Sequence, residues 1–312
     1  MTAKRIASLL ASATEILYGI GLGDNVVAVS HECDFPEPAT HKPRVTFTHV
    51  AVEASSGEID EQVRQMAHQQ AALYEIDTAL LAQLRPDLIV TQAQCDVCAV
   101  RYEDVVSATT THEELAGARI VPLQPARLDD VFADIRRVGK AAGADEAAER
   151  YAAALEARVL AVRAKTEGLS ERQRPRVACV EWIDPMMIAG NWTPEMICIA
   201  GGVAVLAESG SHSQYAPGSS LAEAKPEVIV VTACGFDLAR TLEELPLLGQ
   251  MPGWNELPAV LEGRVFAADG NAYFNRSGPR LVESLELLAH LIHPELFGPP
   301  TFPEDQPVWR RV

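Results

Sequence analysis

Short apolar runs alternate along this chain with stretches whose apolar residues recur three or four positions apart. The first pattern predicts buried strands and the second amphipathic helices. Residues 5–10 (Arg-Ile-Ala-Ser-Leu-Leu) and 26–29 read as strands. Between them lies a helix carrying Ile16, Leu17 and Ile20, with Ser12 as cap, Glu15 at the capping-box position, and a stop at Gly21-Leu22-Gly23. That order implies a parallel sheet covered by helices. Further helices are expected from Glu58, from Asp77 and over 128–141. Strands are expected at 86–90 and 119–121, the latter closed by Pro122.

The longest periodic stretch is central. Ala148, Tyr151, Leu155, Val159 and Val162 fall on one stripe, with charged residues opposite. Asp145 is the expected cap and Gly168 the stop. At 1.5 Å per residue such a helix is roughly 30 Å long, which suits a stiff strut between two lobes. An ordinary surface helix has the same pattern.

The second half repeats the plan. Strands are expected at 176–180, 187–189 and 262–268, a turn at Gly190-Asn191-Trp192, a helix capped by Thr193 with Pro194 behind it, and a final helix after Pro279. Lys225-Pro-Glu-Val-Ile229 echoes Arg85-Pro-Asp-Leu-Ile89: a basic residue, proline, an acid, then an apolar strand. The tail from Gly298 reads as irregular. The organisation expected is an N-terminal lobe over 1–143, a joining helix over 144–168 and a C-terminal lobe over 169–312.

A chain of 312 residues has room for two cores. Its net charge of −17 argues against a nucleic-acid partner, since phosphates want a basic surface. No apolar run is long enough to span a bilayer, and the first ten residues make a poor secretory signal. The expected location is therefore the cytoplasm, or the periplasm or cell surface if a leader has been removed. Six cysteines in this length do not make a disulfide framework; Cys179, Cys198 and Cys234 are expected as buried thiols.

Candidate chemistry sits where strands end, since ligands of open α/β sheets lie beyond the carboxyl ends of strands. In the first half these positions hold Ser12, Thr14, Glu15, His31, Glu32, Cys33 and the loop Gln94-Cys95-Asp96-Val97-Cys98. In the second half they hold Trp182, Trp192, Phe236, Tyr273 and Phe274, whose rings suit a large flat guest or the edge of a core. If the two polar loops meet, His31, Cys33, Cys95 and Cys98 would suit zinc or iron, or thiol redox chemistry; a role as hydrogen-bonded loop residues fits equally. No glycine-rich phosphate loop is present: Gly19-Ile-Gly21-Leu-Gly23 ends a helix and does not start one.

With those residues in view, the chain resembles the helical-backbone class (class III) of ABC-transporter substrate-binding proteins. The carriers are 5–15, the two basic-Pro-acid entries, Gly201-Gly202 and Gly263-Arg-Val-Phe266. His31-Glu-Cys-Asp34 and Cys95-Asp-Val-Cys98 resemble its cobalamin-binding branch. The resemblance implies an α/β fold of two Rossmann-like lobes with parallel sheets joined by one long helix. It implies cobalamin or a related corrinoid as ligand, no catalysis, no required cofactor, a monomer, and an ABC permease as partner reached through acidic residues such as Glu58, Glu61, Glu243 and Glu244. Haem or a siderophore is the alternative ligand, disfavoured by the lack of an arginine cluster in the sequence.

Overall fold

Contacts in the computed structural model, which describes residues 3–93, 99–302 and 307–312, divide the chain into two units. The first comprises 1–54, 61–125 and 129–155, the second 55–60, 126–128 and 156–312. Each is α/β, so the chain has a two-lobe α/β fold.

In the first unit the order is β1 (Ile6–Ser8), α1 (Ala11–Gly19), β2 (Val26–Val29), β3 (Thr46–Thr48), α2 (Ser56–His68), β4 (Tyr74–Ile76), α3 (Thr78–Leu84), β5 (Leu88–Gln92), α4 (Tyr102–Thr111), β6 (Arg119–Leu123) and α5 (Leu128–Ala142). Among the described residues β2-β1-β5-β6 form a parallel four-stranded sheet. The apolar side chains at its centre are fully covered: Ile6, Ala7, Ala28, Leu88, Ile89 and Val90 are all at 0% exposure. Burial on both faces explains why these strands read as continuous apolar runs. Pro122 does not close β6 but lies inside it, opposite Thr91. The strand is outermost, where a missing N–H is tolerated. The antiparallel pair β3–β4 and helix α4 were not expected; β3 and β4 are three residues each, too short for an alternation to stand out. Helix α2 begins two residues before Glu58, because Ser55 and Glu58 make a capping box: the Glu58 carboxylate accepts from Ser55 N (2.9 Å) and Oγ (2.7 Å).

Helix α6 (Asp145–Thr166) runs for 22 residues and passes from the first unit into the second at Leu155. Its expected stripe is buried, with Ala148 at 0%, Leu155 at 5%, Val159 at 7% and Val162 at 5%. Tyr151 is half-buried against Gly19, where an added Cβ would meet its ring. Arg136 grips Glu149 through Nε (2.8 Å) and Nη2 (3.0 Å). Further along, Arg158 donates to Glu283 (2.8 Å) and to both oxygens of Glu286 (2.9 and 2.7 Å), and Thr166 donates to the Ile199 carbonyl (2.7 Å). Asp145 is the first residue of the helix.

The second unit continues with β7 (Arg176–Trp182), β8 (Met187–Ile188), α7 (Thr193–Ile199), β9 (Val203–Ala204), β10 (Gln214–Tyr215), α8 (Ser219–Ala224), β11 (Val228–Val231), α9 (Leu238–Glu244), α10 (Pro258–Leu261), β12 (Val265–Ala268), a π-helical turn (Gly270–Phe274), α11 (Leu281–Ile292) and β13 (Trp309–Arg311). The sheet order is β10-β8-β7-β11-β12-β13, with β9 also on β7. Strands β9, β7, β11 and β12 are parallel, while β8, β10 and β13 add antiparallel edges to the all-parallel sheet expected. The tail expected as irregular supplies β13. Helix α7 starts at Thr193 itself, with Trp192 as N-cap.

The sequence echo is also a structural one. Arg85 and Lys225 end α3 and α8 in the left-handed conformation (φ 46° and 48°). The Asp87 carboxylate then accepts from Lys4 N (3.0 Å) and Arg5 N (3.4 Å), and the Glu227 carboxylate from Arg176 N (2.9 Å). Arg5 Nε donates to the Leu84 carbonyl (2.8 Å) and Arg176 Nε to the Lys225 carbonyl (3.0 Å). Each acid thus fixes the entry of two neighbouring parallel strands. Asp87→Ala and Glu227→Ala should each lower stability by about 1 kcal/mol, read as a smaller urea midpoint with an unchanged slope.

Candidate ligand-binding site

Beyond the carboxyl ends of β1 and β2 the first unit collects a buried polar cluster. Thr14 Oγ1 donates to Ser8 Oγ (2.8 Å) and lies 3.0 Å from Cys33 Sγ, which is 3.3 Å from Ser30 Oγ. Cys33 is fully buried, and Ser12 (1%) and Glu15 (4%) are almost so. Ser12 is not the cap of α1, which is Leu10 in extended conformation; it sits inside the first turn.

His31 is half-buried. Its Nδ1 lies 2.8 Å from Thr46 Oγ1, which also accepts from the His31 backbone N–H (3.0 Å), and its ring stands 5.5 Å from that of Tyr74. Burial first, then the Arg44 charge, lowers its pKa below the ordinary value and favours the neutral ring. Glu32 is exposed, with Oε1 3.9 Å from His31 Nε2. Gln94, Cys95 and Cys98 lie outside the described residues. Among the described residues no group of three or more His, Cys, Asp or Glu is placed to hold a metal.

The second unit gathers aromatic and charged groups beyond β7, β11 and β12. Trp182, the last residue of β7, is half-buried; its ring stands 5.3 Å from Phe236, and its indole N–H donates to the Asp184 carbonyl (3.0 Å). The Arg240 guanidinium lies 3.8 Å over the Phe236 ring, a cation–π contact. Trp192 (6%), Phe236 (2%), Tyr273 (1%) and Phe274 (0%) expose very little surface. Trp192 donates its indole N–H to the Phe274 carbonyl (2.9 Å), and the Tyr273 ring meets Phe302 (5.0 Å) and Arg280 (5.2 Å). Four of the five expected aromatics are therefore chiefly packing residues, and Trp182 offers the most open ring. Cys198 and Cys234, expected as buried thiols, are exposed; Cys179 is buried, which pushes its thiol up to about 12.

The loops carrying these groups are fixed by close backbone approach. A side chain at Gly270 would run into the Ala233 carbonyl, and Gly270 N and Asn271 N both donate to the Phe236 carbonyl (3.0 Å each). Asp269 caps the π-helical turn through Ala272 N (2.7 Å); burial raises its pKa. Arg276 donates to Asn271 Oδ1 (3.0 Å), and Arg276 and Arg280 both act on Asp269. Arg240, Arg276, Asp237 and Asp269 were not singled out from the sequence. The signal was available for Arg240, four residues after Phe236 on a helix start, and the loops that carry Arg240 and Arg276 come together only when β11 and β12 pair.

Of the acidic residues considered for permease docking, Glu244 accepts from Ser56 N (2.9 and 3.1 Å) and from its hydroxyl, and Glu61 from Gln65 (2.9 Å). No helix among the described residues is long and apolar enough to cross a membrane.

A family model described as periplasmic binding protein matches residues 6–272. This chain belongs to that family. Its members are periplasmic solute-binding proteins and not enzymes. It is similar to an ABC transporter substrate-binding lipoprotein of Bacillus subtilis, YvrC, with 25% identity over 94% of this chain and 81% of the relative. It is also similar to a vitamin B12-binding protein of Vibrio cholerae serotype O1, with 26% identity over 91% and 87%. The crystal structure of a periplasmic heme-binding protein from Pseudomonas aeruginosa superposes with a TM-score of 0.72 at 18% identity, covering 96% of each chain; that likeness concerns fold alone. These matches correct the cytoplasmic expectation, which leaned on the polar first residues: the family is periplasmic, and one relative is a lipoprotein.

Trp192→Phe should cost about 1–2 kcal/mol by leaving the Phe274 carbonyl buried without its donor, measured by denaturant unfolding.

Proposed function

We propose that this protein captures a corrinoid of the cobalamin class outside the cytoplasmic membrane and delivers it to an ABC permease. The observation that carries this reading is the pair of near-full-length relatives, one named for vitamin B12 and one for ABC substrate binding. The Trp182–Phe236–Arg240 stack supports it. A corrinoid is a broad, nearly flat ring with amide arms. An open indole gives it an apolar wall, and guanidinium N–H groups give donors for amide carbonyls. In the first lobe, a neutral His31 would be chemically fit to meet cobalt.

Haem is the second reading, favoured by one observation: Arg240 lies over Phe236 and Arg276 bonds Asn271, two loop residues joined by the Asn271 N–H to Phe236 carbonyl bond, and arginine suits carboxylate arms. Calorimetric and absorbance titrations with cyanocobalamin, cobinamide and hemin separate the two. Corrinoid binding at micromolar or lower concentration is expected, with Trp182→Ala weakening it roughly tenfold or more, about 1.4 kcal/mol. Hemin binding with neither corrinoid bound would replace the first reading by the second.

A further inference from the structure

Strand β7 carries an irregularity at the edge of the candidate site. Val180 pairs with Ile188 and Trp182 with Met187, so Glu181 is the extra residue of a bulge. Bulges re-aim a side chain. The Glu181 carboxylate accepts from Ser213 Oγ (2.8 Å), and that hydroxyl accepts from Gly190 N (2.9 Å). Ser213 ends a segment, 206–213, laid directly on the Gly190–Asn191 turn. Asn191 N donates to the Ser211 carbonyl (2.6 Å) and Gly210 N to the Asn191 carbonyl (2.9 Å). The approach is close enough that any side chain at Gly190 would run into the backbone of Ser211, His212 and Ser213. Two residues of the segment, Leu206 (φ 67°) and Gly210 (φ 81°), are left-handed, a conformation that costs a non-glycine residue free energy.

We propose that residues 206–213 form a proton-sensitive strap: with the Glu181 carboxyl neutral the strap lies closed across Gly190, and ionisation of that carboxyl releases it. The bulge aims the acid beneath the strap, and the strap supplies a hydroxyl that donates to it. Enclosure there pushes its pKa up to about 7, against the opposing Ser213 hydrogen bond. The ionisable groups on the surrounding elements are Cys179 on β7, Cys234 after β11, Glu208 and His212 on the strap, and Arg127, which donates to the Ser209 carbonyl (3.3 Å). The Cys179 thiol is neutral, and none of these charges sets the Glu181 shift, which comes from burial. The sign follows by linkage. The closed form binds the proton more tightly than a hydrated carboxyl does, so closure is favoured at low pH and lost as pH rises through about 7. An opened strap hydrates the carboxylate and relaxes the left-handed Leu206. Trp182 is the next residue on β7, so opening would loosen the wall of the candidate site. The strap itself stands whatever solute the protein carries.

Hydrogen exchange on the full chain tests this. After correction for intrinsic chemistry, the Gly190, Asn191 and Gly210 amides should exchange roughly tenfold faster at pH 8 than at pH 6, while core amides of β11 do not change. In Glu181→Gln, which keeps an acceptor for Ser213 and cannot ionise, the corrected rates should be level across that range. Identical corrected profiles in the two proteins would overturn the proposal. If the glutamine variant does not fold, the carboxyl carbon resonance of Glu181 in the wild type decides: a midpoint near 7 supports the strap, and one near the ordinary carboxylate value overturns it.

Discussion

Every polar backbone group at the end of a buried parallel strand must find a partner, and this constraint shapes the protein at both ends of its sheets. Water cannot reach strands covered by helices on two faces, and an unpaired N–H or carbonyl there costs as much as several good contacts give. At the entry ends the partners are Asp87 and Glu227, each holding the first amide of a neighbouring strand. At the exit ends they are loop amides and side chains: Phe236 accepts from two successive amides, and Asn275 spans the Thr232 and Gly270 carbonyls (2.8 and 3.1 Å). Trp182 and Arg240 remain half-buried at the exit ends, whereas Trp192 is drawn inward to serve a carbonyl.

The same constraint explains what could be read from the residues alone. Strands β1, β2, β5, β7, β11 and β12 were legible because two-sided burial demands unbroken apolar runs. Helix α6 was legible because its stripe repeats over six turns. The duplicated Pro-acid entry was legible because the same hydrogen-bond problem recurs in each lobe. Strands β3, β4, β9, β10 and β13 are two or three residues long and owe their existence to a neighbour's free edge, which leaves no periodic mark. Cap positions at Ser12 and Thr193 were misplaced by one or two residues, since a polar residue beside a helix start can also point into the sheet end, as the Ser8, Thr14 and Cys33 cluster does.

The site was less legible than the fold. Aromatic residues after strands were found, but their number said nothing of which would be spent on packing. Ring burial is a matter of three-dimensional neighbours: Tyr273 lies against Phe302 and Arg280, the first from a tail with no regular pattern. The arginines were overlooked for the reverse reason. Arg240 and Arg276 are 36 positions apart in the numbering and become neighbours of one loop pair only when β12 lies beside β11. The family match and the two-lobe α/β fold agree on a solute carrier, and the identity of the cargo turns on a few side chains at those strand ends.

Pro122 bears on how such a carrier survives in a crowded compartment. It occupies the outermost strand of the first sheet, where an exposed ladder would otherwise recruit a strand from a second molecule. An imide nitrogen has no hydrogen to offer a newcomer, so the row of donors is interrupted within the strand. The edge is thereby blunted by the chemistry of one residue, which makes it a poorer template for a strand from another molecule.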